Sequence, residues 1–232
     1  MQYTRPDPGF DRVATLDIET THYKPTAGEL VSIGIGVHDR GDDGSNATYE
    51  TFHRDGQGEA RLVERTFEQL SASDVDGLVT YNGRDFDLTF ITGRLNALEH
   101  RLTLPDLLTS KDQHIDLFED RKQAADRRNR KWPSLEGCLA AYELPEPKTV
   151  LNGDPVTNTR FGEELGPAYL DALRHTNSSV DALTDVIDHY LITDLEANLA
   201  IYYADIGVEF PFRYLDRRGE FSCELPGGTD GS

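Results

Sequence analysis

The stretch Gly77-Leu78-Val79-Thr80-Tyr81-Asn82-Gly83-Arg84-Asp85-Phe86-Asp87-Leu88-Thr89-Phe90 reads as a strand, a turn and the start of a helix. Gly77 to Tyr81 is a short apolar run of the kind buried in a parallel sheet. Asn82-Gly83 is a turn signal. From Arg84 or Asp85 the apolar residues change period: Phe86, Phe90, Ile91, Leu95 and Leu98 form one helical face. Asp87 falls in the first helical turn. It can complement the helix dipole there, as Asp85 can equally. It also lies about 100° round the helix from Phe86, which lets it reach the rim above the strand ends. Ligands gather at that rim in sheets of this kind.

Upstream, Arg12 to Ile18 and Leu30 to Val37 read as strands. After the turn signal Gly41 to Asn46, Ala47 to Arg54 alternates again. Three sequential antiparallel strands follow from this order. Ala60 to Leu70 carries Leu62, Val63, Phe67 and Leu70 at helical spacing. Downstream, His114 to Phe118 is a brief strand, and Ser134 caps a helix running to about Tyr142. Glu146 to Asn158 is rich in Pro, Gly and Asn and reads as a loop. Helical patterns then cover Glu163 to Arg174 and Ser179 to Tyr203. The expectation is one α/β domain over residues 1–210 with a mixed sheet, and a C-terminal tail over 211–232 whose end is disordered.

Composition narrows the function classes. The 232 residues carry 42 Asp and Glu against 23 Lys and Arg, a formal net charge of -19. A generic basic nucleic-acid-binding module is excluded, and so is electrostatic docking on anionic membrane. No apolar run is long enough to span a bilayer. No secretory leader is visible at Met1 to Phe10. Cys138 and Cys223 make neither a disulfide framework nor a CxxC pair. These features point to the cytoplasm and to no membrane partner. Only 5 of the basic residues are Lys and 18 are Arg, while 25 acids are Asp and 17 are Glu. A Lys-poor, acid-rich surface stays hydrated in concentrated salt, so the charge reads as salt adaptation.

Two further carboxylate sites join Asp87. In Asp17-Ile18-Glu19, at the end of the first strand, residues i and i+2 share a face, so two acids project side by side. Without a cation between them they repel one another. The plain alternative is an acidic strand end fraying into solvent. In His189-Tyr190-Leu191-Ile192-Thr193-Asp194, Tyr190 and Asp194 are i, i+4 and share a helical face. The alternative there is a core tyrosine beside an exposed acid.

At these three positions the chain resembles the DEDD superfamily of exonucleases. DxE in Asp17 and Glu19, NGxxFDxxF in Asn82, Gly83, Phe86, Asp87 and Phe90, and YxxxD in Tyr190 and Asp194 are similar to its three motifs. The resemblance spans about Val13 to Tyr203 and is nearest to the exonuclease domains of family B DNA polymerases and to stand-alone YprB-like nucleases. It implies a ribonuclease H-like α/β fold, with a five-stranded mixed sheet flanked by helices. His189 lies five residues before Asp194, so the superfamily's HxxxxD pattern is present as well. The NGxxFDxxF context favours the Tyr branch.

The resemblance also implies a chemistry. Four carboxylates offer the hard oxygen ligands that suit Mg²⁺ or Mn²⁺. By the family pattern two divalent ions are held by Asp17, Glu19, Asp87 and Asp194, with Asp17 shared, and Tyr190 orients the attacking water. A phenol with its pKa near 10 is a poor general base at neutral pH. The expected reaction is 3'-5' hydrolysis of single-stranded ends of DNA or RNA. A non-catalytic nucleic-acid-binding domain and a structure-specific endonuclease are the competing readings.

The substrate-binding candidates form one basic island, Arg121 to Lys131, with six basic residues against one acid. Arg127, Arg128, Arg130 and Lys131 are expected to contact phosphate. Trp132, the only tryptophan, follows them and can stack on a base or anchor the core. Asn82 can bond near the substrate. Asp116 is assigned a structural role, and the remaining histidines show no metal-ligand spacing.

Overall fold

A computed structural model describes residues 1–41, 46–175, 178–215 and 219–225. Most of the turn signal at 41–46 and the polar end after 225 lie outside the described residues. The strands are β1 (Arg12–Thr20), β2 (Leu30–Asp39), β3 (Thr48–His53), β4 (Gly77–Thr80) and β5 (His114–Asp116). They form one sheet in the order β3-β2-β1-β4-β5. β2 runs antiparallel to both β1 and β3, and β4 and β5 run parallel to β1. This is the ribonuclease H-like mixed sheet: antiparallel strands first, then parallel ones.

The helices divide between the two faces because β1 alternates. Ala14, Leu16 and Ile18 pack with α1 (Gly58–Ala72), α2 (Asp87–Ala97) and α3 (Asp106–Thr109) in one apolar cluster. Val13 and Val79 pack on the other side with α5 (Leu135–Ala141) and α8 (Val180–Ile206). Asp17 and Glu19 share the Val13 face by the two-residue period of a strand. They therefore look toward α8. The helix α4 (Leu117–Arg127) covers the same side. α8 ends at Gly207, whose φ of 72° is the left-handed cap that glycine adopts readily.

Gly34 decides how closely α8 can approach. It stands opposite Asp17 in the β1–β2 ladder. A Cβ there would lie 2.7 Å from Leu195 Cδ1 and 2.8 Å from Leu191 Cγ. Only a residue without a side chain lets this part of α8 lie on the sheet. The ladder also shifts register between Glu19 and Thr20. Such bulges re-aim side chains at strand ends near functional sites.

Several expectations are corrected. The stretch read as a loop, Glu146 to Asn158, contains β6 (Lys148–Leu151) and β7 (Asp154–Pro155). With β8 (Glu220–Cys223) from the tail they make a second, three-stranded sheet. Both strands of the pair are too short, and too interrupted by Asn152-Gly153, to show a period in sequence. Leu98 is 44% exposed and lies past the end of α2, so it does not belong to the buried helical face. The pattern from Glu163 resolves into α6 (Asn158–Arg160), a π-helical turn at Phe161–Leu165 and α7 (Gly166–Arg174). Among the described residues no helix is long and apolar enough to cross a membrane.

Candidate active site

A cleft of about 390 Å³ opens at the C-terminal ends of β1 and β4. Asp17, Glu19, Asp87, Asp194 and Asn82 all line it. Four elements bring them together. β1 presents Asp17 and Glu19 on one face. The turn after β4 delivers Asn82, and Asp87 is the first residue of α2. Asp194 comes from the middle of α8.

The turn is built tightly. Asn82 has φ of 65°, in the left-handed region that Asn tolerates. A Cβ on Gly83 would meet Thr80 Oγ1 at 2.5 Å, so glycine is required there. Asp116 fixes the turn from below: it accepts hydrogen bonds from the backbone N–H groups of Asn82 (2.8 Å), Arg84 (3.0 Å) and Phe118 (3.0 Å). Asp116 is therefore a structural clamp that also caps α4.

Oxygens of Asp17, Glu19 and Asp194 all lie within 4.8 Å of one another. Glu19 and Asp87 are buried, 7% and 3% exposed. Burial drives all four pKa values up, because a desolvated carboxylate loses its hydration. Asp17 is pushed up to about 7. Glu19 is raised by burial and then by the charges of Asp17, Asp194 and Asp87. Asp87 is raised by burial, Asp17 and Asp116, and Asp194 by burial, Asp17 and Glu136. No Lys or Arg lines this cleft among the described residues. Hard anionic oxygens packed without a protein countercharge fit a divalent cation. Asp17, Glu19 and Asp194 form the converging set, with Asp87 beside it in the same cleft.

Tyr190 and His189 part company. The Tyr190 ring stacks on Phe161 with centroids 5.8 Å apart, and its hydroxyl donates to Asn158 Oδ1 at 2.5 Å. Burial, then Asp194, Glu19 and Asp17, hold the phenol protonated well above its ordinary range. His189 turns away to the small sheet. Its Nδ1 is 2.7 Å from Thr149 Oγ1, and its ring stacks on Phe221 at 5.2 Å. The helix separates adjacent residues by about 100°, so the two side chains meet different neighbours, and Tyr190 reaches the cleft through Asn158, which lines it.

The basic island divides. Arg121 is fully buried and ion-paired with Asp205, and is not part of any exposed basic surface. Lys122 is bonded to Asp85 at 3.2 Å. Arg127, Arg128, Arg130 and Lys131 are exposed. Trp132 is 47% exposed, so it is no core anchor. Its indole N–H donates to Asp126 Oδ1 at 2.7 Å, and its ring meets Phe118 edge-on at 6.0 Å. A shallow groove along Arg130, Lys131 and Trp132 shares Phe118 and Ser134 with the carboxylate cleft. The C-terminal end of the island, Arg130 and Lys131, thus borders the cleft.

Several lining residues were not legible in the sequence. Asn158 precedes its partner Tyr190 by 32 positions. Glu136 adds a fifth acid to the lining, and Tyr23 adds an aromatic that is 66% exposed. Asn198, one turn after Asp194, is 2% exposed, and its Oδ1 has no partner among the described residues. Only Asn198 carries a local signal, since it continues the i, i+4 stripe of Tyr190 and Asp194.

The comparisons agree with this architecture. No curated protein sequence matches the chain. The family B DNA polymerase from the hyperthermophilic archaeon Pyrobaculum calidifontis superposes with a TM-score of 0.57 and 16% identity, over 83% of this chain and 24% of the polymerase. The chain thus spans about a quarter of that polymerase, and the likeness is one of fold. The model for the RNase_H superfamily matches residues 14–162, which hold Asp17, Glu19 and Asp87. That match covers more than half of the chain: it belongs to the RNase H superfamily, a fold on which nucleases are built.

Proposed function

We propose that this protein is a metal-dependent 3'-5' exonuclease acting on single-stranded ends of DNA or RNA. The observation that carries the reading is the convergence of Asp17, Glu19 and Asp194 within 4.8 Å, beside buried Asp87, in a cleft of a nuclease-superfamily fold. Asp17, Glu19, Asp87 and Asp194 would hold two divalent ions, Mg²⁺ or Mn²⁺. Bound there, such ions supply Lewis-acid stabilisation of the charge that develops on a phosphodiester. Asp17, whose charge acts on Glu19, Asp87 and Asp194, would be the shared carboxylate by the family pattern. Tyr190 stays protonated and orients the attacking water by hydrogen bonding. Arg127, Arg128, Arg130 and Lys131 hold the phosphate backbone at the rim, and Trp132 offers a ring edge and face for an unpaired base. Asn82 is positioned to bond the bound end.

The net charge of -19 accords with this role if cations neutralise the contact surface. We read the Lys-poor acidity as salt adaptation of a cytoplasmic protein; a melting temperature that falls as KCl is added would refute that. Residues 1–210 are proposed as one domain, with β8 contributed by the tail.

The test is an end-labelled oligonucleotide panel, single- and double-stranded, DNA and RNA, with Mg²⁺ or Mn²⁺ in low and high KCl. Mononucleotides released from the 3' end are expected. Asp17→Ala should lower the rate about 10³-fold or more, since several kcal/mol of charge stabilisation go with it. Undiminished activity in that variant overturns the reading. Cutting of a covalently closed circle would make the enzyme an endonuclease. Binding without cleavage across metals would make it a non-catalytic module.

A further inference from the structure

Asn158 has no place in the three motifs, yet it lines the cleft and holds the Tyr190 hydroxyl. It lies on α6 and lines the cleft, as does Gly162 in the π-helical segment Phe161–Leu165 that follows. That segment is pinned on both sides. Phe161 is 1% exposed and stacks on the Tyr190 ring. Gly162 passes close to β1: a Cβ there would lie 3.2 Å from the backbone oxygen of Thr21. Thr157 caps the start of the run by accepting from the Arg160 N–H at 3.2 Å. Arg160 in turn donates to the backbone oxygens of Leu151 and Asp154 at 3.0 and 2.6 Å, tying the run to the small sheet. A π-helical turn inside a helical run is uncommon and is found mostly at functional sites.

The direction of the Tyr190 bond matters. A phenol has one donor hydrogen and acceptor lone pairs. Asn158 Oδ1 can only accept, so in this bond the Tyr190 O–H is spent on Asn158. What remains on the phenol oxygen toward the carboxylates is acceptor capacity. A phenol free to rotate would point its hydrogen at the nearby carboxylates Asp194, Glu19 and Asp17 and would compete with any cation for them. Held by Asn158, it can instead accept a proton-bearing bond from water and leave a lone pair of that water free to attack.

We propose that Asn158 is a positioning residue for hydrolysis: by accepting the Tyr190 hydroxyl hydrogen it fixes the phenol as an acceptor toward the attacking water. This rests on the exonuclease reading above. It predicts that the two residues act as one unit.

The experiment is a double-mutant cycle of Asn158→Ala and Tyr190→Phe, read by single-turnover cleavage and by urea unfolding in EDTA. Asn158→Ala is expected to lower the cleavage rate about 3- to 10-fold with KM unchanged, the worth of one hydrogen bond. In the Tyr190→Phe background the same substitution should change the rate less than 2-fold. Asn158→Asp, which keeps an acceptor, should restore most of the lost rate. Unfolding without metal should show the same coupling, because the bond exists in the free protein. Equal losses from Asn158→Ala with Tyr or with Phe at position 190 overturn the inference while leaving the nuclease reading intact. A wild-type protein with no metal-dependent cleavage, or cleavage that survives Asp17→Ala, removes the nuclease reading and this inference with it.

Discussion

Asp17 and Glu19 project from one face of β1, Asp194 meets them from α8, and Asp87 completes the cleft from α2. Each acid is desolvated, and Asp17 raises the other three, so the carboxylates strain one another electrostatically unless a cation sits among them. Stability carries the mark. Asp17 is pushed up to about 7 from an ordinary 3.8, so between those values the folded state holds a proton that the unfolded state has released. The contribution of Asp17 to the stability of the metal-free protein is therefore fully present below the unfolded value and is lost as pH rises through about 7. Calorimetric melting in EDTA should show this fall between about pH 4 and 7, and Asp17→Asn should reduce its slope. Added Mn²⁺ should raise the melting temperature more at high pH, where protons no longer compete for the carboxylates. An unchanged slope in Asp17→Asn would show that another group carries the titration.

The elements set the distances between these residues. α8 is buried almost all round over its later part, which lies on the main sheet, while its earlier part packs with α7 and the small sheet. Leu191 and Leu195, which flank Asp194, rest over Gly34. Gly34→Ala should push α8 outward. The expected cost is about 1–3 kcal/mol in urea unfolding, as for other overpacked cores. Mn²⁺ affinity by calorimetric titration should fall about 10-fold or more, since a small displacement of one ligand element is costly. Gly56→Ala, where a Cβ meets nothing within 4 Å, is the control and should change neither. The rim between α4 and α5 makes a different prediction. Arg128→Glu with Arg130→Glu should raise KM and reduce the salt dependence of binding, with kcat within about 2-fold. An unaltered salt slope in a filter-binding titration would place the substrate elsewhere.

At the scale of the whole molecule, one buried ion pair joins distant parts of the chain. Arg121 and Asp205 have fully buried side chains. Asp205 also accepts from Arg5 Nε at 3.2 Å and from the Tyr142 hydroxyl at 2.5 Å. Arg121 Nε donates to the backbone oxygen of Met1 at 3.0 Å. The pair thus links α4, α8, α5 and the N-terminal segment. Asp205→Asn leaves Arg121 as an uncompensated buried charge, and should destabilise by about 3–5 kcal/mol in chemical denaturation while leaving metal affinity unchanged. A loss below 1 kcal/mol would mean that the guanidinium finds water.

The sequence by itself determined what repeats locally: the five strands of the main sheet, the long C-terminal helix and the Asn82-Gly83 turn; the four acids and Tyr190 stood out through their resemblance to three family motifs. Those signals survive because period and turn chemistry are properties of neighbouring residues. Tertiary structure alone decided the rest. Arg121 looks like its basic neighbours until Asp205, 84 positions away, buries it. The different neighbours of Tyr190 and His189, Phe161 and Asn158 for one and the small sheet for the other, are set by helix phase. Asn158 and the small sheet gain their meaning only from partners far along the chain. Long-range contacts leave no period in a sequence, and a residue's solvation is set by what folds over it.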